Sequence, residues 1–135
     1  MHATPGYTYA DTRVGVHQAI ACLYDADVRN GHVALWIGAS GPNAKSWIQV
    51  GVMSNGGQPH AYVETGSSGY RDLGRVPFGK CLRLGVIRTA GGTWNVSLDG
   101  QVVWPNHERL GKHAVTIATS ETLGSGRMDY RLESR

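Results

Sequence analysis

The sequence has few cysteines and lacks the spacings that hold metal ions. Its 135 residues include only Cys22 and Cys81, and no Cys-x-x-Cys or His-x-x-x-His spacing occurs. Two cysteines are too few for a disulfide scaffold, and without those spacings we expect no metal site and no cofactor. Both cysteines lie in apolar, strand-like segments, which favours buried free thiols. One disulfide is the alternative, if the two strands are neighbours.

The sequence also lacks a cluster of positive charge and a long apolar run. The net charge is +3, but the basic residues are dispersed, whereas nucleic-acid binding needs a basic patch. No stretch is long and apolar enough to span a membrane. We therefore expect neither a nucleic-acid nor a membrane partner. No signal peptide is visible in the first residues, so the compartment stays unknown, with secretion open if the native chain is longer.

The sequence does contain glycine-rich turns between short segments in which apolar and polar residues alternate. Nineteen glycines separate about nine such segments, which is typical of an all-β protein. We predict one antiparallel two-sheet β-sandwich domain over residues 1–135, with 1–13 irregular and 69–79 crossing between the sheets. Asp99-Gly100 predicts a hairpin over 93–104. The predicted strands are 14–24, 32–38, 46–53, 60–65, 81–88, 93–98, 101–104, 113–119 and 128–132.

Three of these strands carry an unusual outer face. Because side chains alternate along a strand, one face of 32–38, 46–53 and 60–65 is aliphatic and belongs in a core. The other face carries His32, Trp36, Trp47, Gln49, Tyr62 and Glu64. Solvent faces normally carry Lys, Ser, Thr and Glu, so this set predicts the lining of a concave groove. A second small core, or an interface in a homodimer, are the alternatives.

Five segments occur along the chain in an order that resembles glutamic peptidases, the eqolisin family. They are WIG at 36–38, WIQVGV at 47–52, AYVE at 61–64, VPFGKCLRLGV at 76–86 and TWNVSLDGQ at 93–101. The resemblance implies a concanavalin-like (jelly-roll) sandwich and places the family's catalytic Gln on Gln49. It places the family's groove Trp on Trp36 and its aromatic-strand Glu on Glu64. Its catalytic Glu, which lies on a later strand, falls best on Glu121.

A Gln–Glu pair can hydrolyse an amide without a cofactor. Glu121 would take a proton from the attacking water, and Gln49 would stabilise the oxyanion by about 3–4 kcal/mol. Trp36, Trp47 and Tyr62 would hold an extended substrate. Strict alternation puts Glu121 on the apolar side of Val115 and Ile117, so we expect a bulge or the strand end to turn it into the groove.

Two alternatives use the same groove on a glycan instead of a peptide. A lectin-like carbohydrate-binding module would stack sugar rings on the aromatic side chains, with no catalytic pair. A glycosidase would use Glu64 and Glu121 as its two carboxylates. Acid-dependent cleavage would distinguish the peptidase from the binding module.

Overall fold

The chain is built almost entirely from β-strands. The computed structural model describes residues 6–103 and 108–135. Ten strands and one short 3₁₀ turn follow one another: β1 Tyr7–Val14, β2 Gln18–Ser40, β3 Trp47–Ser54, β4 His60–Thr65, β5 Gly69–Arg75, β6 Cys81–Arg88, the turn Ala90–Gly92, β7 Thr93–Leu98, β8 Gln101–Val102, β9 Glu108–Arg109 and β10 Val115–Ser134.

Two long strands connect the halves of one antiparallel sheet. β2 pairs with β6 through Gln18–Cys22 and with β3 through Val33–Ser40, while β10 pairs with β2 along nearly its whole length. The resulting order is β5-β4-β3-β2-β6-β7-β8, with β1 on β10 and β9 on β7. The sheet curls, because β3 also contacts β6 and β7. The predicted all-β class is confirmed, but its two halves are joined by continuous strands.

The apolar core lies between the two halves of the curled sheet. The aliphatic face predicted for β2, β3 and β4 enters this core, as expected from alternation. Its buried members there are Leu35, Ile37, Ile48, Val50, Val52, Ala61 and Val63. They meet Leu82, Leu84, Val86, Trp94 and Val96 from β6 and β7. The core therefore fixes which side chains of β2–β4 point outward.

Several predicted boundaries differ from the structure. Residues 7–13, predicted as irregular, form β1 together with Val14, and 69–75, predicted as a crossing, form β5 paired with β4. Both are edge strands with almost wholly exposed side chains, so their sequences carry no alternation to detect. Residues 25–31 and 124–127 also continue β2 and β10 through an exposed ribbon that the prediction left as loops.

The hairpin predicted at Asp99-Gly100 is confirmed. Both residues have positive φ, 51° and 85°, which is the geometry of a tight two-residue turn, and β7 pairs with β8 around them. Trp104, its predicted last residue, lies outside the described residues.

The favoured assignment of the cysteines was wrong. Cys22 on β2 and Cys81 on β6 are direct cross-strand partners with Cα atoms 4.2 Å apart, and they form a disulfide. Register between distant strands decides this pairing, and the sequence does not contain it. The bridge closes a separation of 59 residues, which in the chain-entropy account stabilises the fold by about 4 kcal/mol.

Candidate active site

Glu121 lies at the centre of a buried polar cluster on the outer face of β2 and β10. Its backbone pairs with Ala34, and its side chain is only 3% exposed. Trp36 Nε1 donates a hydrogen bond to Oε1 at 3.2 Å, and His32 Nε2 lies 2.7 Å from Oε2. The small Ala34 side chain leaves space between His32 and Trp36, which flank it along β2. The pattern His-x-Ala-x-Trp therefore forms a seat for one carboxylate.

The orientation of Glu121 needs no bulge. The pairing of β10 with β2 is regular from Val115 to Gly124, so strict alternation holds. Alternation correctly places Glu121 on the side of Ile117, but that side does not face the main core: Ala118 enters the main core, while Ile117 packs outward against the cluster of Trp36 and Tyr62. Ile117 and Glu121 therefore share the face of Trp36. Because Ile117 is apolar, the sequence indicated that this side faces the core, but Ile117 packs in the second, smaller cluster.

Gln49 lies on β3 and is also buried, at 2% exposure. Its Nε2 donates to the Tyr62 hydroxyl at 2.9 Å. Tyr62 pairs with Gly51 rather than with Gln49, so this is a diagonal contact across the ladder, within reach of long side chains. Gly51 has no side chain at that point; a Cβ there would lie 2.7 Å from the Trp36 Cβ. Glycine thus lets the amide and the aromatic rings approach.

The pKa of Tyr62 is affected by both residues of the predicted pair, Gln49 and Glu121. Burial raises the pKa of Tyr62 well above its usual value, the negative charge of Glu121 and more weakly that of Glu64 raise it further, and the bond from Gln49 opposes the shift. Burial, followed by the charges of Glu121 and Glu64, also raises the pKa of Tyr7. Tyr62 therefore contacts Gln49 and is near enough to Glu121 for that charge to raise its pKa.

The remaining predicted residues lie around this cluster. Glu64 is half-buried and pairs with Gln49 on one side and Tyr70 on the other. Tyr70 is exposed and stacks on Tyr62, with ring centroids 5.4 Å apart. Trp47 lies at the start of β3, opposite Ser40, at the far end of the same face from Glu121.

The aromatic side chains are buried rather than spread along an open surface. Trp36 is 1% and Tyr62 3% exposed, and together with Ala34 they form a small cluster separate from the main core. This is the second core that the sequence left as an alternative. Unlike an ordinary core it encloses a carboxylate and an amide, and polar groups in such a place require hydrogen-bond partners.

Two site residues were missed by the sequence analysis. His32 was placed on the correct face but given no role, although its position two residues before Ala34 makes it the symmetric counterpart of Trp36. Tyr7 packs edge-on against His32, with centroids 5.8 Å apart, and it was missed because residues 1–13 were predicted to be irregular. Only the pairing of β1 with β10 brings it to the site.

The described residues contain neither a metal-binding cluster nor a membrane-spanning helix. Within 6–103 and 108–135 no three His, Cys, Asp or Glu side chains are grouped so as to hold a metal ion. No helix in the same ranges is both long and apolar enough to cross a bilayer.

The fold is similar to solved structures of peptidases and of a lyase. Scytalido-glutamic peptidase, solved with a peptide-based transition-state analogue, is 14% identical with a TM-score of 0.65, covering 92% of this chain and 74% of that one. SCP-B, a member of the eqolisin family of peptidases, is 13% identical with a TM-score of 0.56, covering 92% and 73%. An alginate lyase from Alteromonas sp. 272 is 12% identical with a TM-score of 0.53, covering 92% and 73%.

No protein-family model and no curated protein sequence matches the chain. At identities this low the structural likeness speaks for the fold alone. The resemblance to glutamic peptidases is confirmed to that extent: the chain has an all-β architecture that is found in peptidases and in an alginate lyase.

Proposed function

We propose that this protein is a cofactor-free hydrolase that cleaves an amide bond, with Glu121 as general base and Gln49 as oxyanion donor. One observation carries the proposal. A buried carboxylate and a buried amide lie on one sheet face, and Tyr62 contacts the amide while sensing the charge of the carboxylate. The likeness to glutamic peptidases at a TM-score of 0.65 supports a fold that can carry such a site.

The chemistry follows from the protonation that each group allows. The Glu121 carboxylate accepts a proton from a water molecule as the water oxygen bonds to the substrate carbonyl carbon. Each carboxylate oxygen has two lone pairs, so the bonds from Trp36 and His32 leave further acceptor capacity. The same proton then passes to the leaving nitrogen as the carbon–nitrogen bond breaks, which regenerates the carboxylate.

Gln49 would stabilise the charge that develops on the carbonyl oxygen. Its amide has two N–H bonds, and the one directed at Tyr62 fixes the plane of the group. A fixed donor costs no reorganisation when charge appears in a water-poor site. Removing one such donor typically lowers kcat by about 10²–10³.

We propose that the substrate lies in a groove on the outer face of β2, β3 and β4 of a concanavalin-like fold, along the less buried rim of the cluster. Glu64 and Ile117 are half-buried there, and Tyr70 is exposed beside them. An extended peptide laid across this rim would place one carbonyl over Gln49. Trp47 would contact the chain farther along the same face.

The test is hydrolysis of a mixed peptide library from pH 3 to pH 7, with products identified by mass spectrometry. We expect cleavage by the native protein and its loss in Glu121→Gln and Gln49→Ala. Matched controls are Glu133→Gln and Gln101→Ala, which alter exposed side chains of the same types and should cleave normally. Circular dichroism checks folding. Absence of cleavage by the native protein at every pH would refute the proposal.

The second candidate is glycan binding or cleavage, and the Tyr62–Tyr70 stack favours it. An exposed tyrosine ring supported from beneath by a buried one is a rigid surface for a sugar face. The charges of Glu121 and Glu64 both contribute to the raised pKa of Tyr7, so two carboxylates lie in one region, as glycoside hydrolysis requires. Glycan-array binding that is lost in Tyr70→Ala, without any peptide cleavage, would favour this candidate.

A further inference from the structure

One of the two donors to Glu121 is an imidazole that reaches the surface. The Trp36 indole N–H only donates, and Trp36 is 1% exposed. His32 has an exposed fraction of 20%, against 3% for Glu121. The imidazole therefore lies between the buried carboxylate and solvent.

The position of His32 is itself held by the fold. It lies on β2 opposite Leu123 of β10, and the Tyr7 ring of β1 packs against it at 62° with centroids 5.8 Å apart. Three strands therefore set the direction of its Nε2. Because a carboxylate has no proton to donate, Nε2 must carry the hydrogen when Glu121 is ionised.

We infer that His32 is a positioning residue for Glu121, holding Oε2 so that the carboxylate stays turned into the site while Trp36 holds Oε1. This inference rests on the proposed function. Two donors, one on each oxygen, fix both the plane and the rotation of the carboxyl group. With only Trp36, the group turns about its last torsion, which is intrinsically broad in glutamate. A base displaced by about 1 Å loses roughly 100-fold in rate.

The first arm of the test compares three variants in peptide cleavage. His32→Leu removes the donor, and we expect kcat to fall about 100-fold while KM changes less than threefold, because the substrate is not its partner. His32→Gln offers an amide N–H in place of Nε2 and should recover most of the loss. His60→Ala is the matched control: it removes the histidine of the exposed pair with Asp72 and should leave both constants unchanged.

The second arm measures the ring tautomers by ¹⁵N NMR in the native protein, which needs no activity and no variant that folds poorly. We expect the neutral His32 ring to carry its hydrogen on Nε2, directed at Glu121. The neutral His60 ring should carry it on Nδ1, directed at Asp72. The two histidines thus serve as each other's control.

The outcomes separate the inference from the function that it deepens. Full activity of His32→Leu beside an inactive Glu121→Gln would overturn the role of His32 and leave the hydrolase intact. An Nδ1–H tautomer of His32 would also overturn it. Absence of cleavage by the native protein would remove both the function and the role. Loss in His32→Leu with recovery in His32→Gln and an Nε2–H ring would support both.

Discussion

Among the residues that the structure describes, two histidine–carboxylate pairs link neighbouring strands, and they differ mainly in burial. His32 and Glu121 join β2 to β10, with Nε2 and Oε2 2.7 Å apart and the side chains 20% and 3% exposed. His60 and Asp72 join β4 to β5, with Nδ1 and Oδ2 3.0 Å apart and the side chains 37% and 50% exposed. The residue types and the cross-strand setting are alike, while solvent access is opposite.

Burial determines how much each histidine–carboxylate pair matters to the protein. The bond from the Gly74 backbone N–H is the main cause that lowers the pKa of Asp72, and His60 lowers it further. Water competes for both members of that pair, so it contributes little to stability. Glu121 has protein donors on both oxygens. Removing one member of such a buried pair is costly, because the other is left buried without its hydrogen-bond partner.

The largest expected effect comes from breaking the buried pair. Glu121→Ala leaves His32 and the Trp36 indole without their acceptor and opens a small void. We expect the free energy of unfolding to fall by about 3–5 kcal/mol. Asp72→Ala, the matched change at the exposed pair, should lower it much less, because solvent screens that carboxylate. Urea unfolding of both variants measures this, and equal losses would show that burial does not distinguish the pairs.

A smaller loss of stability distinguishes the Trp36 bond to a carboxylate from a tryptophan bond to a neutral carbonyl oxygen. Trp36→Phe removes a donor to a carboxylate, whereas Trp94→Phe removes a bond from Nε1 to the Gly111 carbonyl oxygen, 3.0 Å long. Bonds to charged groups contribute about 1.5–3 kcal/mol and neutral ones about 0.5–1.5. We therefore expect Trp36→Phe to destabilise the protein more, by about 1 kcal/mol. Chemical unfolding of both variants tests this, and a larger loss in Trp94→Phe would contradict it.

The smallest expected effect is read by two tyrosines, each near one pair. The charge of Glu121 helps to raise the pKa of Tyr62, and that of Asp72 helps to raise the pKa of Tyr70. In ¹³C NMR titrations, Glu121→Gln should lower the pKa of Tyr62 and Asp72→Asn that of Tyr70, each without the other. A shift of both tyrosines in either variant would show that the two sites are not electrically separate.

The raised pKa of Tyr62 also predicts how stability changes at high pH. The folded protein holds the Tyr62 proton more tightly than the unfolded chain does. The resulting contribution to the free energy of unfolding is therefore present in full below the unfolded pKa of about 10. It is lost as the pH rises from there through the folded pKa. Tyr62→Phe should therefore show a smaller fall in the free energy of unfolding between pH 9 and pH 11 than the native protein. An equal fall would argue against a raised pKa.

The sequence predicted the faces of β2, β3 and β4 because their apolar residues alternate strictly around the site residues. Alternation works where one face enters a core and the other does not. It failed for β1 and β5, whose side chains are exposed on both faces, and therefore missed Tyr7. It placed Glu121 on the correct side of its strand. That side was wrongly taken to face the main core, because Ile117 is apolar but packs in the smaller cluster.

Contacts between distant strands were beyond the reach of any local pattern. The Cys22–Cys81 bridge depends on the register of β2 with β6, and the His32–Glu121 bond on that of β2 with β10. Both arise because two strands of 23 and 20 residues run through both halves of the sheet. Their exposed middle parts look like loops in the sequence, and this concealed the continuity.

The central claim is that Glu121 and Gln49 act in one hydrolytic step. A double-mutant cycle of peptide cleavage tests it most directly, using Glu121→Gln, Gln49→Ala and the double variant at one pH. Residues that act as a unit are strongly non-additive. We predict that each single change lowers kcat/KM by at least about 10² and that the double variant is no slower than the slower single one. Losses that multiply, or a native protein that does not cleave, would contradict the account.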